Sequence, residues 1–250
     1  IKVPAVSVSI QKKALTEANA IEKEIKTIES SIKKNGEIID DVFNREFRFA
    51  MDEFNRIKQA KRFSANYRTL SNNADLRFSA KFHRDSGNFV MQELMSRTDK
   101  KIKHYLAEPI VLGASVSPAD YSEDGDFCYI SMATIKNWQF DLESASTVSK
   151  EYSDSKQSKT VRKNDIILAR SGEGTIGKVA LIKDDELQGV FADFTMRIRL
   201  KDYNPEFAYY YFRTTYFQYL IEIYKKGLGN NTNIFPVVVR EFPMLDISLE

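Results

Sequence analysis

The sequence predicts an α+β protein, a long coiled-coil-forming helical region followed by a mixed α/β domain. Three observations predict it. An apolar seam at heptad spacing runs through the N-terminal region, where Gly36 is the only glycine before Gly87. Short β-branched runs set between glycines and asparagines recur from residue 127 onward. An aromatic helix with a proline start and a glycine stop follows the last of them. The division falls between a helical spacer at 1–66 and the mixed domain at 67–250.

The seam is Ala14, Ala18, Ile21, Ile25, Ile28, Ile32, Asn35, Ile39 and Val42, with steps that alternate between 4 and 3. That spacing keeps one helix face against a partner helix. Asn35 is the polar position in it, the kind that costs stability and fixes register. Past Val42 the stripe slips by one position and resumes at Phe43, Phe47, Ala50, Phe54 and Ile57, which is a stutter. Continuous from Ile10 to Ala60, the helix would be roughly 75 Å long, and Gly36 is the weak point where it would divide in two. So long a helix needs another beside it, and the sequence offers no second of similar length. Ile21, Ile25, Ile28, Ile32, Asn35, Ile39, Val42, Phe43, Phe47 and Phe54 therefore read as a partner surface.

The mixed domain begins with a short helix in "NFVMQELMSRT". Strands follow in "FCYISMATI", "NDIILAR", "KVALI" and "FTMRIRL". In the last of these Arg197 and Arg199 alternate with Met196, Ile198 and Leu200, so both arginines share one strand face. Asn204, Pro205 and Glu206 supply a cap, a proline at the first helical position and an acid in the first turn. The aromatic helix they open ends at Lys225-Lys226-Gly227, and its rings read mainly as core.

Composition narrows the function classes. Hydrophobic content of 42% supports a core, and a net charge of +2 requires any basic surface to be local. Cys128 is the only cysteine, which excludes an internal disulfide and a cysteine-based zinc site, and it reads as a buried structural thiol. His83 and His104 lie in polar surroundings without a second ligand at metal spacing and read as solvated. There is no membrane-length apolar run and no signal peptide, so a cytoplasmic location is expected. No catalytic set and no metal site emerge.

The stretch "GEGTIGKV", Gly172 to Val179, has the glycine and lysine spacing of a phosphate-binding loop. Val179 stands where that loop needs a hydroxyl for magnesium, and "KVALI" reads as a strand rather than a helix. Strand, glycine-rich turn and strand make a hairpin instead. The two ends of the chain also resemble each other. In "VPAVSVSIQ" and "FPMLDISLE", Pro4 aligns with Pro243, Val6 with Leu245, Val8 with Ile247 and Ile10 with Leu249. The first copy leads into the long helix, as expected if the intact protein is a tandem repeat of helix plus mixed module.

These strings in this order resemble the specificity (S) subunit of type I restriction-modification enzymes. The matching pieces are "KNDIILARSGEGTIGKVALI" (Lys163 to Ile182), "KGLGNNTNIFPVVVREFPMLDISLE" (Lys226 to Glu250) and "FCYISMATI", and they span most of the chain. Asn164 stands where that family usually has glycine, and the family's closing proline pair is reduced to Pro243. The resemblance implies one conserved spacer helix and one target-recognition domain that reads half of a split DNA sequence. It implies a non-catalytic subunit without cofactors of its own. S-adenosylmethionine and ATP belong to partner subunits, one for modification and one for restriction and translocation. A second conserved helix, in the same protein or in a second copy, would pair with the first.

Within that resemblance three segments are candidate contacts to double-stranded DNA. The first turn offers Arg170, Ser171, Thr175 and Lys178 as donors to phosphates. The second offers Lys225, Lys226, Asn230, Asn231 and Asn233, asparagine being able to bond adenine edges in pairs. The segment Ser149 to Lys163 is read as a long basic loop carrying Lys156, Lys159, Arg162 and Lys163. Arg77, Lys81, His83 and Arg84 mix bases with aromatics ahead of the domain. The alternatives are a coiled-coil interaction module without DNA specificity, and the recognition region of a fused restriction-methylation enzyme.

Overall fold

A computed structural model describes residues 6–71 and 77–246. The seam forms three helices rather than one: α1 (Val8–Ser31), α2 (Asn35–Phe47) and α3 (Met51–Gln59). The first break falls just before Gly36, where Ile32 and Lys34 have extended ψ angles of 118° and 144°. The second falls at Arg48, whose left-handed φ of 52° turns the chain while its N–H still bonds to the Asn44 carbonyl.

The segments that follow are α4 (Tyr67–Ser71), α5 (Asp85–Met95), β1 (Val111–Leu112), β2 (Phe127–Ile130), β3 (Ile135–Lys136), β4 (Gln139–Phe140), β5 (Thr147–Val148) and α6 (Lys150–Ser155). After them come β6 (Ile166–Ala169), β7 (Val179–Leu181), β8 (Gly189–Phe191), β9 (Thr195–Ile198), α7 (Pro205–Tyr211), α8 (Thr215–Tyr224) and α9 (Pro236–Val239). One antiparallel sheet has the order β1-β9-β6-β7, a second has β5-β2-β8, and β3 and β4 form a separate hairpin.

The strand β6 explains how the layers stack. Its four residues are all buried, as an uninterrupted apolar run requires when both faces of a sheet are covered. Ile166 and Leu168 point to a core shared with α5, α7 and α8, while Ile167 and Ala169 point to a smaller core with Ile130 and Phe191. The predicted hairpin is present, with Ile166 opposite Leu181 and Leu168 opposite Val179. Asn164 enters it with φ of 72°, a left-handed conformation that asparagine tolerates better than most residues.

The predicted cap at Asn204 is also present. Its Oδ1 accepts from the Glu206 and Phe207 N–H groups at 2.9 and 3.1 Å. The aromatic helix is divided, because Thr214 starts a second one by accepting from the Phe217 N–H at 3.3 Å. Of the aromatics in this segment, Tyr209, Tyr211, Phe212, Tyr216, Phe217 and Tyr219 are buried.

Two expectations are corrected here. The described part of the expected 1–66 spacer, residues 6–66, does not stand apart as a single element, because only α1 is exposed throughout. Helices α2 and α3 belong to the main core: the Phe43 ring lies 5.2 Å from Phe207, Phe49 lies 4.5 Å from Tyr216, and Phe54 lies 5.0 Å from Tyr219. Ile39, Phe43 and Phe54 are buried and Phe47 is partly buried, so these residues are not a surface offered to another molecule. Asp40 adds a polar tie, accepting from the Thr215 N–H at 2.7 Å. The seam residues left exposed are Ala14, Ala18, Ile21, Ile25, Ile28, Ile32 and Val42. Asn35, also exposed, lines a cavity between α2 and the β3–β4 hairpin.

Candidate nucleic-acid interface

The two glycine-rich turns, far apart in sequence, form one structure. After α8 the chain closes a loop in which the Lys226 and Asn233 backbones exchange two hydrogen bonds, each 2.7 Å long. Ser171 of the first turn bridges to the same Asn233. The Ile234 N–H donates to the Arg170 carbonyl at 2.9 Å, and the Ser171 hydroxyl donates to the Thr232 carbonyl at 3.1 Å.

Arg170 is the centre of this junction. Its Nε donates to the Asp193 carbonyl at 2.8 Å and its Nη1 to Asn233 Oδ1 at 3.0 Å. Its guanidinium also lies 5.8 Å from the Phe194 ring centroid. Arg170 thus ties the first turn both to the second turn and to the turn between β8 and β9.

Glycine geometry makes the first turn possible. Gly172, Gly174 and Gly177 have φ values of 84°, 76° and 87°. The backbone N–H of Ile176 donates to the Gly172 carbonyl at 3.0 Å and that of Gly177 to the Ala169 carbonyl at 2.8 Å. Donors that a phosphate loop would aim at an anion are used inside the turn, and Val179 opens a strand. The turn is further fixed by Gln218 of α8, whose Nε2 donates to the Gly177 carbonyl at 2.8 Å.

The predicted contact residues divide on this geometry. Arg170, Ser171 and Thr175 hold the turns together, with the Thr175 hydroxyl donating to the Ser171 carbonyl at 2.8 Å. Lys178 is partly exposed at the end of the first turn. Lys225 pairs with Glu222 at 2.6 Å, and Asn231 is exposed. The backbone of Asn230 lies in the short 3-10 turn Gly229–Asn231. Asn233 serves the junction through both its backbone and its side chain.

The basic segment from Ser149 to Lys163 is not a long loop. Ser149 caps α6 by accepting from the Tyr152 N–H at 3.2 Å, and a 3-10 turn spans Gln157–Lys159. The segment docks on β8, where the Val161 N–H donates to the Gly189 carbonyl at 2.9 Å. Lys156 lies 5.8 Å from the Tyr152 ring, Lys163 pairs with Asp185 at 2.5 Å, Lys159 is partly exposed and Arg162 is exposed. These side chains therefore belong to a separate surface segment on the smaller sheet.

The other basic groups are structural. Arg77 donates to the Lys225 carbonyl at 2.6 Å and lies over Phe82. His83, expected in solvent, is buried and bonded to the Arg77 carbonyl. Arg197 and Arg199 do share a face, but it is turned to carboxylates. Arg199 forms paired 2.7 Å bonds with buried Asp165, and Arg197 pairs with Glu108. Burial, and then the neighbouring Arg199 charge, lowers the pKa of Arg197, whereas the bond to Asp165 raises that of Arg199. Cys128 is partly exposed rather than fully buried, and its thiol pKa is raised by desolvation.

Two exposed apolar side chains at this surface escaped the sequence reading. Phe194 is 46% exposed beside Arg170, and Leu228, at the apex of the second turn, is 88% exposed. The signal available for Leu228 was its position between Gly227 and Gly229, where a short polar loop has no core to fill.

Among the described residues no three His, Cys, Asp or Glu side chains are grouped to hold a metal ion, and no helix is long and apolar enough to cross a membrane. Comparison with curated proteins finds no match. Among solved structures the chain is similar to a type I restriction-modification S subunit from M. genitalium, at 18% identity and a TM-score of 0.40, covering 58% of this chain and 33% of that one. It is similar to the HsdS subunit from Thermoanaerobacter tengcongensis at 12% identity and a TM-score of 0.40, covering 64% and 40%. A structure described as showing complex assembly and conformational transition of the type I R-M system matches at 12% identity and a TM-score of 0.41, covering 79% and 44%. The chain spans less than half the length of each. The family model for the type I restriction modification DNA specificity domain matches residues 110–234, which include both glycine-rich turns and the sheets between them. That match covers half of the sequence, and the chain belongs to the type I restriction modification DNA specificity family.

Proposed function

We propose that the chain is a non-catalytic DNA-specificity subunit, or half of one, of a type I restriction-modification system, reading one half of a bipartite duplex target. The observation that carries the reading is the family match over 110–234, whose interior holds the Arg170–Asn233 junction and its exposed turns. A surface built from several short turns on rigid sheets suits base recognition, because the scaffold holds donors in register while turn residues vary.

The exposed isoleucines of α1 support a second role. Ile21, Ile25 and Ile28 are 48 to 57% exposed on one stripe, with Ile32 just past the helix end at 63%, as expected for a helix that pairs with a second conserved helix or a second copy. The terminal resemblance agrees with a tandem plan. Met244 and Leu245 of the C-terminal copy are buried, while Val6 and Val8 of the N-terminal copy are 47 and 64% exposed. Pro4 and residues 247–250 of those copies lie outside the described residues. Methyltransferase subunits would dock on the helical region, and methyl transfer with S-adenosylmethionine and ATP-driven restriction would reside in partner subunits. In this role the protein works in the cytoplasm.

The test is selection from random-sequence duplexes, with and without the modification subunit, followed by sequencing. Enrichment of a short motif, with two copies at fixed spacing when helices pair, is the expected result. No enrichment in either condition would overturn the reading and leave a coiled-coil interaction module in its place.

A further inference from the structure

Leu228 is the most exposed large apolar side chain among the described residues, at 88%. Leaving such a side chain in water forgoes the favourable free energy that burial would supply. The loop around it is made of glycine, asparagine and threonine, so an apolar residue there serves no local packing need.

The loop also presents Leu228 rigidly. The double bond pair between Lys226 and Asn233 closes its base, and the Arg170 side chain fastens that base to the neighbouring turn. Gly227 has φ of 108°, and a Cβ there would fall 2.2 Å from the Asn231 carbonyl oxygen, so the backbone passes where only glycine fits. The Leu228 carbonyl accepts from the Asn231 N–H at 3.2 Å. Beneath the apex, Thr232 and Ile234 are buried and plug the loop into the domain. A backbone held this way brings the side chain to a partner with little further loss of backbone freedom.

We propose that Leu228 enters the major groove of the target and packs against a thymine methyl, making it a specificity-determining residue. This rests on the DNA-specificity reading above. The thymine C5-methyl is the apolar group that base edges present in that groove, and the exposed Asn231 beside it on the same loop supplies polar contacts. Leu228 then discriminates thymine from cytosine or a purine by apolar contact and steric fit.

The experiment uses the full chain and the Leu228→Ala variant. Selection with the wild-type chain first defines the motif. Uracil is then substituted for thymine one position at a time, which removes only the methyl group. At one position the substitution is expected to weaken wild-type binding by about four- to tenfold, the value of one buried methyl or slightly more. The same substitution should leave Leu228→Ala binding unchanged. Equal losses in both proteins at every position, or a motif without thymine, would overturn the proposal while leaving DNA specificity intact. Failure of the wild-type chain to enrich any motif, both with and without the modification subunit, would overturn the specificity reading and this inference with it. Leu142→Ala, which shortens an exposed apolar side chain at the cavity beside α2, should retain the wild-type methyl dependence. Matching thermal midpoints for the wild-type and Leu228→Ala chains verify that the comparison concerns the contact and not folding.

Discussion

Phe54→Ala separates a residue that packs the core from one that receives a partner. Phe54 is fully buried, and its ring meets Tyr216 edge-on at 5.3 Å and Tyr219 edge-on at 5.0 Å. The Lys58 ammonium lies 5.4 Å from the same ring. Removing a buried phenylalanine costs about 3–5 kcal/mol, and that range already contains the two aromatic contacts. For a chain of this size the loss corresponds to a drop of about 6–20 °C in thermal midpoint. The assay is thermal unfolding of the isolated chain, followed by circular dichroism and repeated in urea to verify an unchanged m-value. Ile25→Ala on α1 is the comparison, expected to shift the isolated chain by less than about 0.5 kcal/mol because the side chain is 48% exposed. A Phe54→Ala midpoint within about 2 °C of wild type, well below the range derived from burial, would refute the assignment of α3 to the core. It would return the aromatic stripe to the role of a docking surface.

Three other outcomes follow from particular contacts. Gly177→Ala should destabilise by about 1–3 kcal/mol, because φ is 87° and the new Cβ would sit 2.7 Å from Gln218 Oε1, as denaturant midpoints will measure. Asp165→Ala removes both 2.7 Å bonds to Arg199 and leaves it only Glu108, which Arg197 already shares, with an expected cost of about 1.5–3 kcal/mol by urea unfolding; a loss under about 1 kcal/mol would show the network contributes little. Glu241 bonds to Lys103 and Lys101, which lower its pKa from the ordinary 4.5 to about 2. Its contribution is present above pH 4.5 and is lost as pH falls toward 2, so wild type and Glu241→Gln should converge across that interval. Partial exposure and salt screening keep this difference small, and it should shrink further in high salt.

Local chemistry made much of the fold legible. The apolar run "IILA" is short and follows the turn residues Asn164 and Asp165, and as a strand covered on both faces it buries all four of its residues. Val179, lacking a side-chain oxygen and followed by a short apolar run, marked a hairpin rather than a phosphate loop. Asn204 and Pro205 marked a helix start because one satisfies free N–H groups and the other has none to satisfy. The resemblance to specificity subunits rested on such strings in order, and the family match agrees with it. The basic segment misled because charge says nothing about backbone geometry. Lys156 joins a capped helix to a 3-10 turn, and Arg162 follows them in a segment that docks on β8.

What the sequence determined by itself is which residues form each face: the isoleucine stripe of α1, the alternation in β9 and the turns that glycine permits. Periodicity fixes direction around a local axis, and that axis belongs to each element alone. What covers each face was decided only in tertiary structure. Ile25 and Ile39 lie on the same seam, yet one is in water and the other is in the main core. Arg170 and Asn233 are 63 positions apart and bond directly because β6 and the loop after α8 arrive at one end of the domain. A contact of that kind depends on how elements pack, and no spacing within either turn encodes it.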